Sequence, residues 1–256
     1  MTAVARTLLL QADRRRGMAI GWNLSLAMVI LVTAYLFRGL RWEVVWDSRL
    51  LLVRGLGLSW ELSIISVALG MAAGIPLAAA RTYGPWGVRH LAVAYIEVIR
   101  ATPQLMLIFW VFFTYPLFTG RDVSPYGAGV ISLFLIASAY LAEVVRGGLN
   151  SVGRGQAEAG LTTGLAPLQV FRHIILPQAL RNMIPAFVAQ TVSLFKTTSL
   201  VYVLGLVDFF RAIIIVNNAN FAPYELYTTM AVGYFICCYA LSWVIRKIDP
   251  KYVLSE

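Results

Sequence analysis

The sequence predicts an all-α polytopic membrane protein with about six transmembrane helices. Mean hydropathy is +0.75 and only 13% of the 256 residues are charged, which excludes an ordinary soluble domain. Five stretches contain no Asp, Glu, Lys, Arg or His, and each matches the helix length that crosses a hydrocarbon core of roughly 30 Å. They are residues 18–37, 62–80, 101–120, 123–142 and 226–245. A sixth stretch, 182–206, is interrupted only by Lys196.

The net charge of +9 indicates an orientation in the membrane and not a nucleic acid partner. If the N-terminus is inside, fourteen basic residues fall in cytoplasmic segments and six in outer segments, with Lys196 in neither group. Because cytoplasmic loops are enriched in Lys and Arg, we expect both termini to be cytoplasmic.

The first predicted helix, 18–37, follows Arg14, Arg15 and Arg16. It is too long for the apolar core of a signal peptide, and no Ala-x-Ala cleavage site follows it. We therefore interpret it as a helix that stays in the mature protein. The outer segment 38–55 then carries Trp42 and Trp46, whose side chains are typical of a membrane interface.

The next predicted helices are interrupted by glycine and proline. The second helix, about 57–80, contains small residues that let helices approach closely in lipid. These are Gly57, Gly70 and Gly74. The third starts near Leu91 and is interrupted early by Pro103, and the fourth covers about 127–149.

A polar insert separates the fourth helix from the fifth, which covers about 182–206. Residues 155–159 favour a short helix that Gly164 breaks, and Pro167 suits the first turn of a second helix. We expect Pro177 to end this second helix because proline has no amide hydrogen to donate. Two short helices that meet at a glycine form a rigid elbow, which suits the transmission of force.

This insert resembles the cytoplasmic loop motif of permease subunits of bacterial ABC importers. The motif reads Glu-Ala-Ala, three residues, Gly, nine residues, Ile-x-Leu-Pro. By this resemblance, the residues that couple the chain to an ATPase are Glu158, Ala159, Gly160, Gly164, Ile174, Leu176 and Pro177. Gly160 departs from the usual Ala: it loosens the first short helix by about 1 kcal/mol but keeps the surface small enough for docking.

Further stretches resemble the polar amino acid uptake branch of that family, which includes the histidine, glutamine and glutamate-aspartate permeases. They are residues 95–103, 139–148, 175–179 and 195–201. The resemblance covers about 55–247 and implies a type I permease domain of five helices with a coupling-helix pair in a loop at about 150–180. Residues 1–54 would then add a cytoplasmic N-terminus, an extra helix and an outer segment, and residues 248–256 would form a cytoplasmic tail.

The resemblance implies a subunit of the bacterial cytoplasmic (inner) membrane that imports a polar amino acid by alternating access. Its implied partners are two copies of an ABC ATPase, a second permease subunit that is identical or a sister chain, an extracytoplasmic amino acid-binding protein and membrane lipid. The lysines, Lys196, Lys247 and Lys251, stand outside any phosphate-binding loop motif. We therefore expect no cofactor and no enzymatic activity in this chain, with ATP and Mg in the partner ATPase.

Charged and hydroxyl residues within the predicted spans are candidates for a substrate path, because an unpaired charge in lipid is costly. The candidates are Glu61, Thr102, Gln104, Lys196, Thr198 and Ser199. Lys196 either faces a substrate carboxylate or forms a structural ion pair with a neighbouring helix or with the partner permease. Glu61 either attracts a cationic group or is simply solvated or paired. Relatives often carry Asp after this lysine, where this chain has Thr197.

Two pairs at i, i+3 spacing, Glu97 with Arg100 and Glu143 with Arg146, are expected to form structural ion pairs near helix ends. His90 and His173 are isolated, so we predict no metal site.

Other functions remain open at this point. The chain can serve another small solute, since the coupling loop is shared across many substrates, or it can be an ATP-independent channel or secondary transporter. A membrane enzyme is least favoured, because the sequence contains no recognisable set of nucleophile and base. Residues 198–204 resemble relatives that carry glutamate and aspartate, which gives a slight preference for those substrates.

Overall fold

The computed structural model describes Met28 and residues 38–247, without the side chain of Arg246. All the regular elements in this part of the chain are helical. The α-helices are α1 (Glu43–Asp47), α2 (Arg49–Tyr83), α3 (Trp86–Ala101), α4 (Gln104–Thr119), α5 (Pro125–Asn150), α6 (Arg154–Thr162), α7 (Pro167–Val170), α8 (Leu176–Thr197), α9 (Phe209–Asn220) and α10 (Pro223–Lys247). A π-helical turn, Phe171–Ile175, precedes α8, and a 3-10 helix, Thr198–Leu204, follows it.

The prediction of an all-α polytopic membrane protein is confirmed. Four continuous spans among the described residues are long and apolar enough to cross a membrane: Arg49–Tyr83, Pro125–Asn150, Pro167–Leu204 and Pro223–Ile245. The pair α3 and α4 makes a fifth if it is counted as one bent span. The predicted helix 18–37 lies outside the described residues except for Met28, as does the tail 248–256.

The third predicted helix, which was expected to start near Leu91, begins at Trp86. The expected interruption at Pro103 is present, and α3 and α4 meet there at an angle of 110°. Proline disfavours the α conformation in the residue before it, and Thr102 accordingly has an extended backbone, with φ −84° and ψ 134°. Pro103 therefore sets a sharp bend between two helices.

The expectation that Pro177 ends a helix is wrong. The chain is helical without a break from Pro167 to Leu204, over 38 residues. Hydrogen bonds in a π turn reach back five residues, so the turn at Phe171–Ile175 relieves the clash of the proline ring with the carbonyl group four residues earlier. The second arm of the elbow and the fifth predicted helix therefore form one continuous body.

The most extensive helix contact joins α2 to α5, across two glycines of α2. A Cβ atom on Gly70 would lie 3.0 Å from the carbonyl carbon of Ala137, and one on Gly74 would lie 3.0 Å from the backbone nitrogen of Ala142. Side chains at these positions would push the helices apart. Gly57, by contrast, faces open space, so the prediction that it aids packing is wrong.

Helix α9 lies where the sequence indicated only an outer segment. Asp208 caps it, since the carboxylate accepts hydrogen bonds from the backbone N–H groups of Phe210 (3.1 Å) and Arg211 (3.0 Å). The backbone N–H of Phe209 donates to the hydroxyl of Ser59 on α2, at 3.2 Å. Gly55 lets the two elements approach, because a Cβ atom there would lie 2.7 Å from the carbonyl oxygen of Asp208.

The segment before α1 is held against the last helix. The guanidinium of Arg41 donates to the carbonyl oxygens of Asn220 (2.7 Å) and Phe221 (3.0 Å), where α9 ends. Its backbone N–H donates to the carboxylate of Glu225 on α10, at 2.6 Å. These bonds join the first part of the described chain to its last helix.

We expect Gly70→Ala to destabilise the chain by about 1–3 kcal/mol, because the added methyl group overpacks the contact with Ala137. Gly57→Ala adds the same methyl group in open space and is the matched control. Thermal unfolding of the purified protein measures both. Adding Ala137→Gly to the Gly70→Ala chain should restore only part of the stability, because it removes the contact with the Ala137 Cβ but leaves the backbone contact at 3.0 Å. Equal effects of the two glycine substitutions would contradict the role given to this contact.

Candidate functional site

The elbow consists of α6, a turn at residues 163–166, and α7. Gly164 has φ +84°, a left-handed conformation that favours glycine. Its N–H donates to the carbonyl of Leu161 at 3.0 Å, and the N–H of Leu165 donates to the carbonyl of Gly160 at 3.4 Å. This pair of bonds is a Schellman motif, which ends α6 and fixes the direction in which the chain leaves it.

The start of α7 is also fixed by side-chain bonding. Pro167 occupies the first turn, as predicted, where the missing N–H costs nothing. The side-chain oxygen of Gln169 accepts from the backbone N–H of Ala166 at 2.9 Å. Both ends of the turn between the arms are therefore held by hydrogen bonds.

Gly160 and Ile174 pack inside the elbow. Gly160 is buried, and a Cβ atom on it would lie 2.7 Å from Cδ1 of Ile174 and 3.0 Å from Cγ2 of Val170. The interpretation that Gly160 keeps an outer docking surface small is therefore wrong. Its lack of a side chain lets the two arms close on each other.

The outer side of the elbow carries a mixed polar and apolar surface, which we call the elbow surface. It comprises the exposed residues Glu158, Ala159, Leu161 and Leu168. Leu161 is 49% exposed and Leu168 is 75% exposed. The motif did not single out these two leucines, although their place in a polar insert was a usable signal. Pro177 is also exposed, while Leu176 is half-buried.

Hydrogen bonds tie the elbow to α8 and to the end of α5. The side-chain amide of Gln178 donates to the side-chain oxygen of Gln156 on α6 at 3.4 Å. The amide of Asn182 donates to the hydroxyl of Ser151 at 2.7 Å. The elbow is thereby connected to α8 through side chains as well as through the backbone.

Lys196 lies near the end of α8, and its side chain is exposed. Within residues 38–247, no carboxylate forms an ion pair with it. The hydroxyl of Ser199 donates to the carbonyl of Lys196 at 2.8 Å, so Ser199 stays beside it. The charge of Lys196 is thus not neutralised by an ion pair within the described chain.

Thr198 does not belong to an open path, contrary to expectation. It is 1% exposed, and its hydroxyl donates to the carbonyl of Phe195 at 2.8 Å. The hydroxyl of Thr197 instead reaches the side-chain oxygen of Gln104 at 3.0 Å. The bend at Pro103 therefore brings the start of α4 to the end of α8, where Gln104 contacts Thr197.

The other two path candidates are engaged elsewhere. The hydroxyl of Thr102 donates to the carbonyl of Val98 at 2.8 Å, at the end of α3. Glu61 is exposed and accepts a hydrogen bond from the hydroxyl of Tyr126 at 2.5 Å. Glu61 is thus a paired side chain, one of the two alternatives that the sequence left open.

Three helices meet in an arginine–glutamate cluster at the end of the bundle nearest the elbow. The carboxylate of Glu143 on α5 lies 2.9 Å from Arg146, 2.9 Å from Arg81 on α2 and 3.5 Å from Arg100 on α3. Arg81 also pairs with Glu97 at 2.9 Å. The predicted pair of Glu143 and Arg146 is confirmed, whereas the predicted pair of Glu97 and Arg100 is wrong, because both residues bond to other helices.

Arg81 links the carboxylates of the cluster to one another. The sequence predicts this residue only in a loop. It stands in the last turn of α2, where it reaches carboxylates of both α3 and α5. Side-chain pairs between helices cannot be deduced from i, i+3 spacing. The cluster locks the ends of these three helices beside the point where α5 leads into the elbow.

A family model described as "Binding-protein-dependent transport system inner membrane component" matches residues 66–253. The chain belongs to this family. The resemblance to permease subunits of ABC importers is thereby confirmed, and the elbow described above is part of an inner-membrane transport component.

Curated relatives of this permease cover most of its length. It is 34% identical over 211 residues to the glutamine transport system permease protein of Escherichia coli (strain K12), with 82% of this chain and 96% of the relative covered. It is 31% identical over 217 residues to the glutamate/aspartate import permease protein of Escherichia coli O157:H7, with 82% and 97% covered.

Solved structures agree with this family fold. The permease matches an amino acid ABC transporter crystallised with histidines, with a TM-score of 0.77 at 27% identity, over 83% of this chain and 99% of that chain. It also matches the inward-facing methionine ABC transporter MetNI, with a TM-score of 0.65 at 21% identity, over 77% and 94%. The second match supports the fold alone.

We expect Glu143→Gln to destabilise the permease by roughly 3 kcal/mol, because it removes the shared carboxylate of three arginines at a position only 15% exposed. Glu97→Gln is the matched control: its side chain is 53% exposed and pairs only with Arg81, so its effect should stay below about 1 kcal/mol. Thermal unfolding of both variants gives the comparison. A Glu143→Gln protein as stable as Glu97→Gln would exclude a central role for Glu143.

Proposed function

We propose that this chain is the transmembrane permease subunit of an ABC importer for a polar amino acid, and that ATP hydrolysis takes place in a separate subunit. One observation carries the proposal. The second arm of the elbow continues without a break into the helical body Pro167–Leu204, which holds Lys196. A single helix therefore connects the surface suited to an ATPase with the residue suited to the substrate.

The elbow surface supplies what a docking partner needs. Leu161 and Leu168 offer apolar area to bury, and Glu158 offers a charge. The Schellman motif at Gly164 and the packing of Gly160 against Val170 hold the arms at a fixed angle. When the ATPase moves, the elbow moves as one piece and tilts α8, which changes the access of Lys196 from one side of the membrane to the other.

Lys196 would bind the carboxylate of the amino acid. An exposed ammonium within a span is stable only if it faces water or a counter-charge. The hydroxyl of Ser199 bonds to the backbone carbonyl of Lys196, and the side-chain oxygen of Gln104 accepts from the adjacent Thr197, so both side chains offer polar atoms at the helix end that carries Lys196. The substrate path of this proposal consists of these three residues, without Thr198.

The relatives support a substrate with an amide or carboxylate side chain. The glutamine permease is 34% identical and the glutamate/aspartate permease 31%, so the preference for glutamate and aspartate has no separate support. We therefore extend the proposed substrates to glutamine.

A second permease subunit would close the path, because Lys196 lies on the outside of the described bundle. The remaining partners of the proposal are two ATPase subunits that hold ATP and Mg, and an extracytoplasmic binding protein, in keeping with the family's description. Both termini are proposed to be cytoplasmic, on the side of the elbow.

We expect Glu158→Lys to lower amino acid-stimulated ATP hydrolysis by at least about tenfold, because charge reversal at the elbow surface weakens the complementary contact with the ATPase. The measurement uses the reconstituted complex with its binding protein. Glu43→Lys, an equal reversal at an exposed position of α1, is the control and should leave hydrolysis unchanged. Stimulated hydrolysis at the native level in Glu158→Lys would refute coupling through the elbow.

We expect Lys196→Met to weaken amino acid binding roughly 10- to 100-fold, because it removes a charged hydrogen-bond donor for the carboxylate. Equilibrium binding of radiolabelled glutamine, glutamate and aspartate to the permease and ATPase complex, without the binding protein, measures this loss. Lys247→Met is the control, since Lys247 lies over the ring of Trp243 at the end of α10. Unchanged binding in Lys196→Met would remove Lys196 from the substrate path.

A further inference from the structure

A cavity of about 320 Å³ opens where α2 and α5 end and α3 begins. It is lined by Arg81, Thr82, Arg89, Val93, Arg146 and Asn150. Asn150 is the last residue of α5 before the elbow, so the cavity lies at the elbow end of the bundle. No part of the proposed transport mechanism uses this cavity.

The lining of the cavity is strongly cationic. It includes three arginines and no carboxylate. Arg81 and Arg146 share Glu143 with Arg100, so the cluster contains more guanidinium groups than carboxylates. Arg89 is exposed, and no carboxylate in residues 38–247 pairs with it. Several guanidinium groups around one space suit a ligand with several anionic oxygens, such as a phosphate.

The surroundings of the cavity indicate which phosphate. Two large aromatic side chains near the lining residues are exposed: Tyr83 (66%) follows Thr82, and Trp86 (79%) lies three residues before Arg89 on the same face of α3. Tyr and Trp at the end of a membrane span are typical of the interface between headgroups and acyl chains. A free phosphate ion has no apolar part to contact these side chains, whereas the acyl chains of a phospholipid can pack against them.

We propose that this cavity binds the phosphate group of an anionic phospholipid, with the acyl chains against the exposed side chain of Trp86. Basic pockets between transmembrane helices are suited to such headgroups. The phosphate contacts Arg89 on α3 and Arg146 on α5, and so adds a link between these helices beside the arginine–glutamate cluster. The site is independent of which solute the permease carries.

Native mass spectrometry of the full permease complex tests the proposal, with phosphatidylglycerol and phosphatidylcholine as probes. We expect phosphatidylglycerol to bind more tightly. Arg89→Gln should lower its affinity roughly fivefold, since one basic residue near a membrane surface contributes about that factor. Arg89→Lys retains the charge but not the forked donors of the guanidinium, so its affinity should lie between those of the native complex and Arg89→Gln. Arg121→Gln, an exposed arginine before α5 at the opposite end of that helix, is the control and should change nothing.

Three results would overturn the proposal. The first is equal affinity of the native complex for the two lipids. The second is an equal loss in Arg89→Gln and Arg121→Gln, which would mark a general effect of charge. The third is displacement of phosphatidylglycerol by millimolar inorganic phosphate, which would assign the cavity to a soluble anion. If Arg89→Gln yields too little folded complex, Arg89→Lys takes its place. Native affinity for phosphatidylglycerol in the folded Lys variant would then contradict contact of the phosphate with the Arg89 guanidinium.

Discussion

The close approach of α2 and α5 across Gly70 and Gly74 is the contact on which the other features depend. In lipid, helices gain little from hydrophobic burial against one another, so small residues and close backbone packing must hold them. The same contact sets the register of the two helices. Gly74 packs at Ala142, next to Glu143, and two turns further along α2 Arg81 reaches that carboxylate. A different register would separate Arg81 from Glu143 and leave several charges in the bundle without partners.

Continuity of the chain is the second organising property. A π turn absorbs Pro177, and an elbow held by a Schellman motif, a buried glycine and side-chain bonds leads directly into the helix of Lys196. No non-helical loop interrupts the chain between the second arm of the elbow and Lys196.

Much of this was predictable from the sequence, and what was missed has common physical causes. Apolar stretches and the elbow motif gave the helices, the insert and the family, since these depend on local composition. The partners of Glu97 and Arg81, the burial of Thr198 and the inward face of Gly160 depend on how helices rotate against each other. The prediction that Pro177 ends a helix was wrong because proline breaks an α-helix but is tolerated after a π turn.

The bonds of Arg41 have a consequence for how the chain is made. Its partners Asn220, Phe221 and Glu225 follow it by 179, 180 and 184 residues. At roughly 5–20 residues per second, a ribosome takes about 10–40 s to supply them. During that interval the segment before α1 lacks its hydrogen-bond acceptors, and its contact with α10 forms only after α10 has emerged. The contact between this segment and the last described helix is therefore one of the last to form during synthesis.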